Sequence, residues 1–497
     1  MKYRLLGVAA LVAMMAVTGV LASMDPETAD TRIHQHLTAR QPEAGCDCDG
    51  SQLCTHLPLV LIDTGGQEIP GKRTGEADSF GEWLYTVAAD GRDVINVTLS
   101  IVDNQDRNNH PSDTPTLTSR TEIRVRGHSS RVFAKSPYQL DFVDENGEPS
   151  PAEVMGMAAH SERVLNGPYL DKSLVRNYMW YNISGEAMEW APNVRYCELI
   201  IDGDYRGLYL MVETITNGDN CRLNLSETEQ NVKTSGYLLR GDRTTQEDLG
   251  GQRDIYSYLE RMLTLRTDIL IKYPRRASLT EQIQTQIELN YAAFEKALYS
   301  YDYDYDTGAY SYENYIDVDN FVDYFLINEF SLNVDAGRYS TYIYKDMSGK
   351  YKLAVWDFNN ACDNFPTDLL TPDQLNMSSH TWYFMLCKSE DFVQRILERY
   401  DQLRQTVLNE TYLMDYIDET LDYLGPAVTR NNERWKEAMT QWEPLSPASR
   451  NLYSHEEAVE QLKEWLYVRG IWLDENLHTI QQYCHPSHNK TYNHWTD

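Results

Sequence analysis

Between residues 58 and 145, apolar and polar positions alternate in short runs separated by turn residues: "LPLVLIDT", "EWLYTVAADGRDVINVTLSIVD", "TEIRVRGHSSR" and "SPYQLDFVD". A period of two predicts strands with one buried face. "VRYCELIIDGDYRGLYLMVETI" (194–215) reads as a hairpin turning on Asp202 and Gly203, a pair that tolerates positive φ. "SGYLLRGD" adds a further strand. Helical spacing first appears in "DKSLVRNYMWYNISGEAM" (171–188), where Leu174, Tyr178, Tyr181 and Ile183 share one side and Asp171 is the predicted N-cap. From about residue 279 the helical period dominates, through "SLTEQIQTQIELNYAAFEKALYS", "DVDNFVDYFLINEFSL", "EDFVQRILERYDQLRQTVL" and "SHEEAVEQLKEWLYVRGIWLDENLHTIQQY". One strand pair interrupts it, "STYIYKD" and "YKLAVWDF", turning at Met347, Ser348 and Gly349. The expectation is an α+β protein with a β-rich first half and a helix-rich second half that carries one embedded hairpin.

A chain of 497 residues exceeds one ordinary core and implies two or three lobes. Its 44 Lys and Arg against 75 Asp and Glu give a net charge of −31, which argues against nonspecific binding to nucleic acid or anionic membrane. That charge fits a basic protein partner or a bound cation as well as simple solubility. The first residues add a location. Lys2 and Arg4 precede an apolar run from Leu5 to Leu21, and Val20 and Ala22 fit a cleavage pattern. Residues 1–22 therefore read as an export signal, or as an anchor if uncleaved, and place the remainder outside the cytoplasm. Residues 23–56 are polar and read as a cysteine-containing linker. In an exported chain, eight cysteines point to disulfides first. Cys46, Cys48, Cys54 and His56 form C-x-C-x5-C-x-H, a set with zinc-binding chemistry but no common zinc spacing, so disulfide or free-thiol readings come before zinc.

The hairpin concentrates the candidate chemistry. Asp335 follows a helix and precedes the first strand, and Asp357 follows the second strand. Pairing the strands brings both carboxylates to one edge, where one can take a proton from a hydroxyl and the other can hold Mg²⁺ or Mn²⁺. The alternative is that both serve as turn residues. "RVRGHSSRVFAK" (124–135) sets Arg126, Ser129, Ser130, Arg131 and Lys135 around a glycine turn, with backbone N–H groups and cations suited to phosphate. Glu213, at the end of "LYLMVETI", has two readings: an exposed strand-end carboxylate, which comes first, or a partner that orients Lys135. In "YDYDYDTGAYSYENY", Asp302, Asp304, Asp306 and Glu313 have an EF-hand-like spacing for Ca²⁺, although Thr307 stands where the turn glycine belongs.

"EIRVRGHSSRVFAKSPYQLDF", "LNGPYLDKSLVRNYM", "IDGDYRGLYLMVETI", "GYLLRGD", "NEFSLNVDAGRYSTYIYKD" and "KLAVWDFNNACDN" occur in this order and together resemble the CotH family of spore-coat kinases, over about residues 58–475. The resemblance implies an atypical protein-kinase-like fold with two lobes, a β-rich N-lobe (57–245) and a helical C-lobe (246–484), followed by a tail (485–497). It implies transfer of the ATP γ-phosphate to Ser or Thr of a protein, using a divalent metal, by a bacterial secreted or envelope-associated enzyme. Asp335 falls at the catalytic-loop position and Asp357 at the metal-binding position of a DFG-like element. The basic turn with Lys135 matches the phosphate-facing segment, and Glu213 the glutamate of a "tEk" motif. Asn359 stands where many members have a second Asp, Ser340 where protein kinases have a metal-binding Asn, and Thr214 in place of the motif's Lys. Asp357, Asn359 and Ser340 are thus the implied metal set, with one firm carboxylate among them. A weak or inactive kinase acting as an envelope binding protein, and ATP-dependent adenylylation or glutamylation on the same fold, are the alternatives. ATP is scarce outside cells, which sharpens the question of substrate.

Overall fold

In the computed structural model, the described residues are 33–37, 46–77, 83–218, 223–226, 234–242, 254–255, 268–299, 303–304, 309–380 and 382–484. The expected signal, the tail, Cys221, Asp302 and Asp306 lie outside them. No helix among the described residues is long and apolar enough to cross a membrane.

Seven strands close a barrel: β1 (Leu59–Asp63), β2 (Ile95–Val102), β3 (Leu117–Val125), β4 (Tyr138–Val143), β5 (Glu162–Asn166), β6 (Val194–Ile201) and β7 (Asp204–Glu213). Their order is β1-β6-β7-β5-β4-β3-β2. β1 runs parallel to β6, and the other pairings are antiparallel. The β6–β7 hairpin turns where the sequence places it, with φ of 50° at Asp202 and 79° at Gly203. Val60, Val97, Leu99, Ile123, Leu140, Phe142, Leu165, Leu199 and Met211 fill one core. On β6 and β7 the alternate residues Val194, Tyr196, Leu208, Leu210 and Val212 belong to a second, larger core. Both faces of these strands are therefore covered, which explains the near-continuous apolar run "LYLMV".

That larger core is built mostly from helices: α1 (Arg176–Ala187), α2 (Glu281–Tyr299), α3 (Val318–Phe330), α4 (Glu390–Arg404), α5 (Glu410–Leu424), α6 (Pro426–Arg434) and α7 (His455–Asn476), with α1 packed on β6 and α6 on β7. Capping residues fix several starts. Asp317 accepts from Asn320 N–H before α3, Ser389 caps α4, Asn409 caps α5, and Ser454 with Glu457 forms a capping box on α7. α6 is fastened to the barrel by Arg430, which donates to both oxygens of the buried Glu198 at 2.9 and 2.7 Å.

The hairpin β11 (Thr341–Lys345) and β12 (Lys352–Ala354) is not isolated among helices. It forms one edge of a five-stranded sheet, β9-β10-β8-β11-β12, in which β8 is Tyr237–Asp242, β9 Asp254–Ile255 and β10 Asp268–Tyr273. The expected lobe boundary at 245/246 falls inside this sheet, because β8 pairs with both β10 and β11. The fold is mixed α+β, as expected. The segment read as a linker is also partly packed. Gln35 exchanges hydrogen bonds with the Tyr196 backbone, and His36 Nδ1 meets the Tyr178 hydroxyl at 3.0 Å. None of the seven described cysteines is in a disulfide. Of the proposed calcium loop, the described residues Tyr303–Asp304 pair with Ala309–Tyr310, and Glu313 sits in a short 3-10 turn.

Candidate active site

Asp335 lies on the loop leaving α3. That loop is fixed before the aspartate is reached: Ser331 Oγ donates to the Ile327 carbonyl at 2.8 Å, and fully buried Asn333 bonds Asn328 through both backbone and side chain. After it, the Asp335 carbonyl accepts from the N–H groups of Arg338 and Tyr339. Gly337 N–H donates to Thr341 Oγ1 at 2.8 Å and leads the chain into β11.

Asp357 emerges three residues beyond β12 with a left-handed φ of 58°. Its N–H donates to the Tyr181 hydroxyl at 3.1 Å, and its carbonyl accepts from Asn333 Nδ2 at 3.3 Å. Asn333 thus ties the two aspartate-bearing segments together. Adjacent asparagines bracket the carboxylates: Asn359 Nδ2 donates to Asp357 Oδ1 at 2.8 Å, and Asn360 Nδ2 to Asp335 Oδ2 at 2.9 Å. Phe358, fully buried, is packed by Trp180 and Tyr181 of α1.

The start of α1 holds this segment from the other side. Asn177 Oδ1 accepts from Phe358 N–H at 2.8 Å, and Asn177 Nδ2 donates to Asn359 Oδ1 at 2.9 Å. Arg176 donates to the carbonyls of Ala361 and Cys362 at 3.0 and 3.2 Å, and pairs with Asp171 at 2.6 Å. Asp171 is not the N-cap that the sequence suggests: the helix begins at Arg176 with Val175 as its N-cap, and Asp171 accepts from Arg176 N–H at 2.9 Å from further upstream. Sequence reading missed Arg176, Asn177, Asn333 and Asn360. The available signal was a helix start with Arg and Asn inside an otherwise apolar and aromatic run. Leu332, Ser340, Asp357, Cys362 and Asp363 all carry positive φ. Such conformations cost on the order of 1–3 kcal/mol each for residues other than glycine and persist where surrounding contacts over-determine them.

The electrostatics follow from this crowding. Burial, and then the negative charge of Asp335, push the Asp357 carboxyl up to about 6, against the opposing pull of Asn359 and Arg126. Arg126 leaves the end of β3 with its guanidinium 5.4 Å from the centre of the Trp356 ring. The sign for stability is set by the raised value. The native state holds its proton to higher pH than the unfolded chain, so ionising Asp357 costs stability, from nothing below about pH 4 to its full size above about pH 6. We expect Asp357→Asn to stabilise the metal-free protein by about 1–2 kcal/mol above about pH 6.5 and to have little effect below about pH 4, read by denaturant unfolding at both pH values.

The remaining predicted residues divide. Ser129, Ser130 and Arg131 form one 3-10 turn at the surface. Gly127 at φ 99° leaves room there for Ser130 Oγ, and Arg131 Nε donates to the Gly127 carbonyl at 2.7 Å. Lys135 is not a surface cation. It is 1% exposed, donates to Asn431 Oδ1 of α6 at 2.7 Å and has its ammonium 5.2 Å from the centre of the Tyr209 ring. Burial lowers its pKa well below the usual lysine range. Gly207 permits this approach, since a Cβ there would stand 2.6 Å from Asn431 Oδ1. The second reading of Glu213, an ion pair with Lys135, does not form. Glu213 Oε2 accepts from the Asn193 N–H and side-chain amide at 2.9 and 3.0 Å. It lies four residues beyond Tyr209, about 13 Å along the same strand. Ser340 sits on the loop into β11 with φ 49°.

Two aspartates thus come together at one end of the β11–β12 hairpin, each held by a neighbouring asparagine and with Arg126 nearby. The chain belongs to the CotH kinase protein family, which matches residues 123–473, most of its length. No curated protein matches the chain.

Proposed function

We propose that this protein is a metal-dependent kinase that transfers the γ-phosphate of ATP to a Ser or Thr hydroxyl of a protein. The observation that carries the reading is the convergence of Asp335 and Asp357, which places a carboxylate of raised pKa beside a second one. Two such charges in a crowded site repel, and a divalent cation relieves that repulsion, so the donor set fits a hard metal. Asp357 and Asn359 are the groups that would hold Mg²⁺ or Mn²⁺. The metal, when bound, neutralises charge on the phosphates.

The protein's own residues account for the rest. Asp335 accepts the proton of the attacking hydroxyl as its oxygen bonds to the γ-phosphorus and the bond to the ADP oxygen breaks. Asn360 holds the Asp335 carboxylate in place for this. Asn333 and the α1 clamp keep the two aspartates in fixed relation, and Arg126 supplies positive charge for the phosphates. Export of the chain and a basic substrate complementary to its net charge of −31 belong to the same proposal.

Mass spectrometry of a Ser/Thr-rich basic protein incubated with ATP, metal and this protein tests the transfer directly. Addition of a phosphate is expected. Addition of an adenylyl group or of glutamate would replace the reaction and keep the site, and no addition with intact metal-dependent nucleotide binding would make the protein an inactive kinase. The inactive-kinase outcome has its own support, since Asn359 gives Asp357 an amide donor where a second carboxylate would stand.

The positions of the two basic residues lead to opposite expectations. Arg126→Met should weaken nucleotide binding about tenfold, about 1.4 kcal/mol, in calorimetry. Lys135→Met should leave nucleotide affinity unchanged, because Lys135 is used inside the barrel–helix junction.

A further inference from the structure

The segment leading into β1 holds a second cluster, on the barrel and separate from the two aspartates. Cys46, Cys48, Cys54 and His110 bring one ligand atom each to within 4.8 Å of one another. His56, which the spacing offered as a fourth ligand, is not among them. It is buried, with Nε2 at 2.5 Å from the Tyr423 carbonyl. His110 replaces it from the loop between β2 and β3. A two-residue bridge brings that loop to the cysteine segment, with Thr55 and Asn109 exchanging N–H···O bonds at 3.1 and 2.6 Å. Asn109 Nδ2 also donates to the Leu57 carbonyl at 2.9 Å.

We propose that these four residues bind one zinc ion as a closed Cys₃His site. Tetrahedral zinc with Zn–S bonds of about 2.3 Å needs ligand atoms about 3.8 Å apart, a small contraction of the cluster. His110 Nε2 already lies 3.5 Å from Cys46 Sγ. Its other ring nitrogen, Nδ1, lies 3.3 Å from Asp113 Oδ2, which fixes the tautomer that leaves Nε2 with its lone pair toward the sulfurs. Asp113 is itself held by the His110 N–H at 3.0 Å and by Asn104 Nδ2 at 3.1 Å. Asn108 Nδ2 donates to Cys54 Sγ at 3.2 Å, the kind of N–H···S bond that supports a metal-bound thiolate. Three thiolates and an imidazole select zinc over magnesium or calcium, and four protein ligands leave no open position, so the role is structural. A disulfide would use two of the three sulfurs and leave the His110–Asp113 pair without a purpose. Zinc here would lock the incoming chain onto the barrel just before Thr55 and His56, which contact Arg430 of α6 and Tyr423 of α5.

The test loads the full chain with zinc under reducing conditions, removes free metal and measures bound zinc by mass spectrometry, with Co²⁺ substitution as a spectroscopic probe. One zinc per chain is expected, with thiolate-to-cobalt charge-transfer bands and the intense visible bands of tetrahedral Co²⁺. Cys48 is exposed, so Cys48→Ser should fold and lose the tetrahedral thiolate spectrum. Asp113→Asn should keep the spectrum and weaken zinc binding by about 10–100-fold in a chelator competition. Cys484→Ser, at the other end of the chain, should change neither. Zinc content and cobalt spectrum unaffected by Cys48→Ser, or no retained zinc in the reduced and folded chain, would overturn the proposal.

Discussion

Asp335→Asn is expected to reduce phosphoryl transfer by about 10²–10⁴-fold while leaving metal-dependent nucleotide binding intact. The asparagine keeps the shape of the side chain and removes the group that takes the hydroxyl proton. Its loop is held by the backbone and by Ser331 and Asn333, independently of the carboxylate, so the fold should survive. The readouts are single-turnover transfer of label from γ-labelled ATP and calorimetric nucleotide titration on the same preparation. Loss of both together would mean that Asp335 holds the nucleotide and is not the base.

Arg176→Met is expected to destabilise the protein by about 3–5 kcal/mol, the size of effect seen when one member of a buried ion pair is removed. Arg176 and Asp171 are 3% and 2% exposed at their side chains and lie 2.6 Å apart. The methionine leaves Asp171 buried with Ser173 and backbone N–H groups as its remaining partners. It also releases the carbonyls of Ala361 and Cys362. A double variant, Arg176→Met with Asp171→Leu, separates these roles. It should recover part of the stability in urea unfolding, because no buried charge is stranded, and should still transfer phosphate poorly, because the chain after Asp357 stays unclamped. Full recovery of activity would reduce the clamp to a packing role.

Much of this centre is written locally in the sequence. Alternation marks the barrel strands, Asp-Gly marks the β6–β7 turn, and the hairpin brings the Asp335 and Asp357 segments together because antiparallel pairing dictates it. The parts that escaped local reading depend on contacts between distant segments. Lys135 looks like a surface cation beside a glycine turn, and its burial is set by Asn431, nearly 300 residues later. The α1 clamp was hidden for the same reason. An arginine and an asparagine at a helix start read as its polar side until the carbonyls they meet, at Ala361 and Cys362, are in place. His110 and the three cysteines are joined by a bridge that no spacing rule encodes. The five-stranded sheet was obscured because the partners of β11 come from both halves of the chain.

The most direct measurement is label transfer from γ-labelled ATP with Mg²⁺ or Mn²⁺ to a Ser/Thr-rich basic protein, comparing the unaltered chain with Asp335→Asn and Asp357→Asn. Metal-dependent transfer lost in both variants is the predicted result. Transfer that persists in either variant would contradict the assignment of Asp335 and Asp357 to one reacting centre.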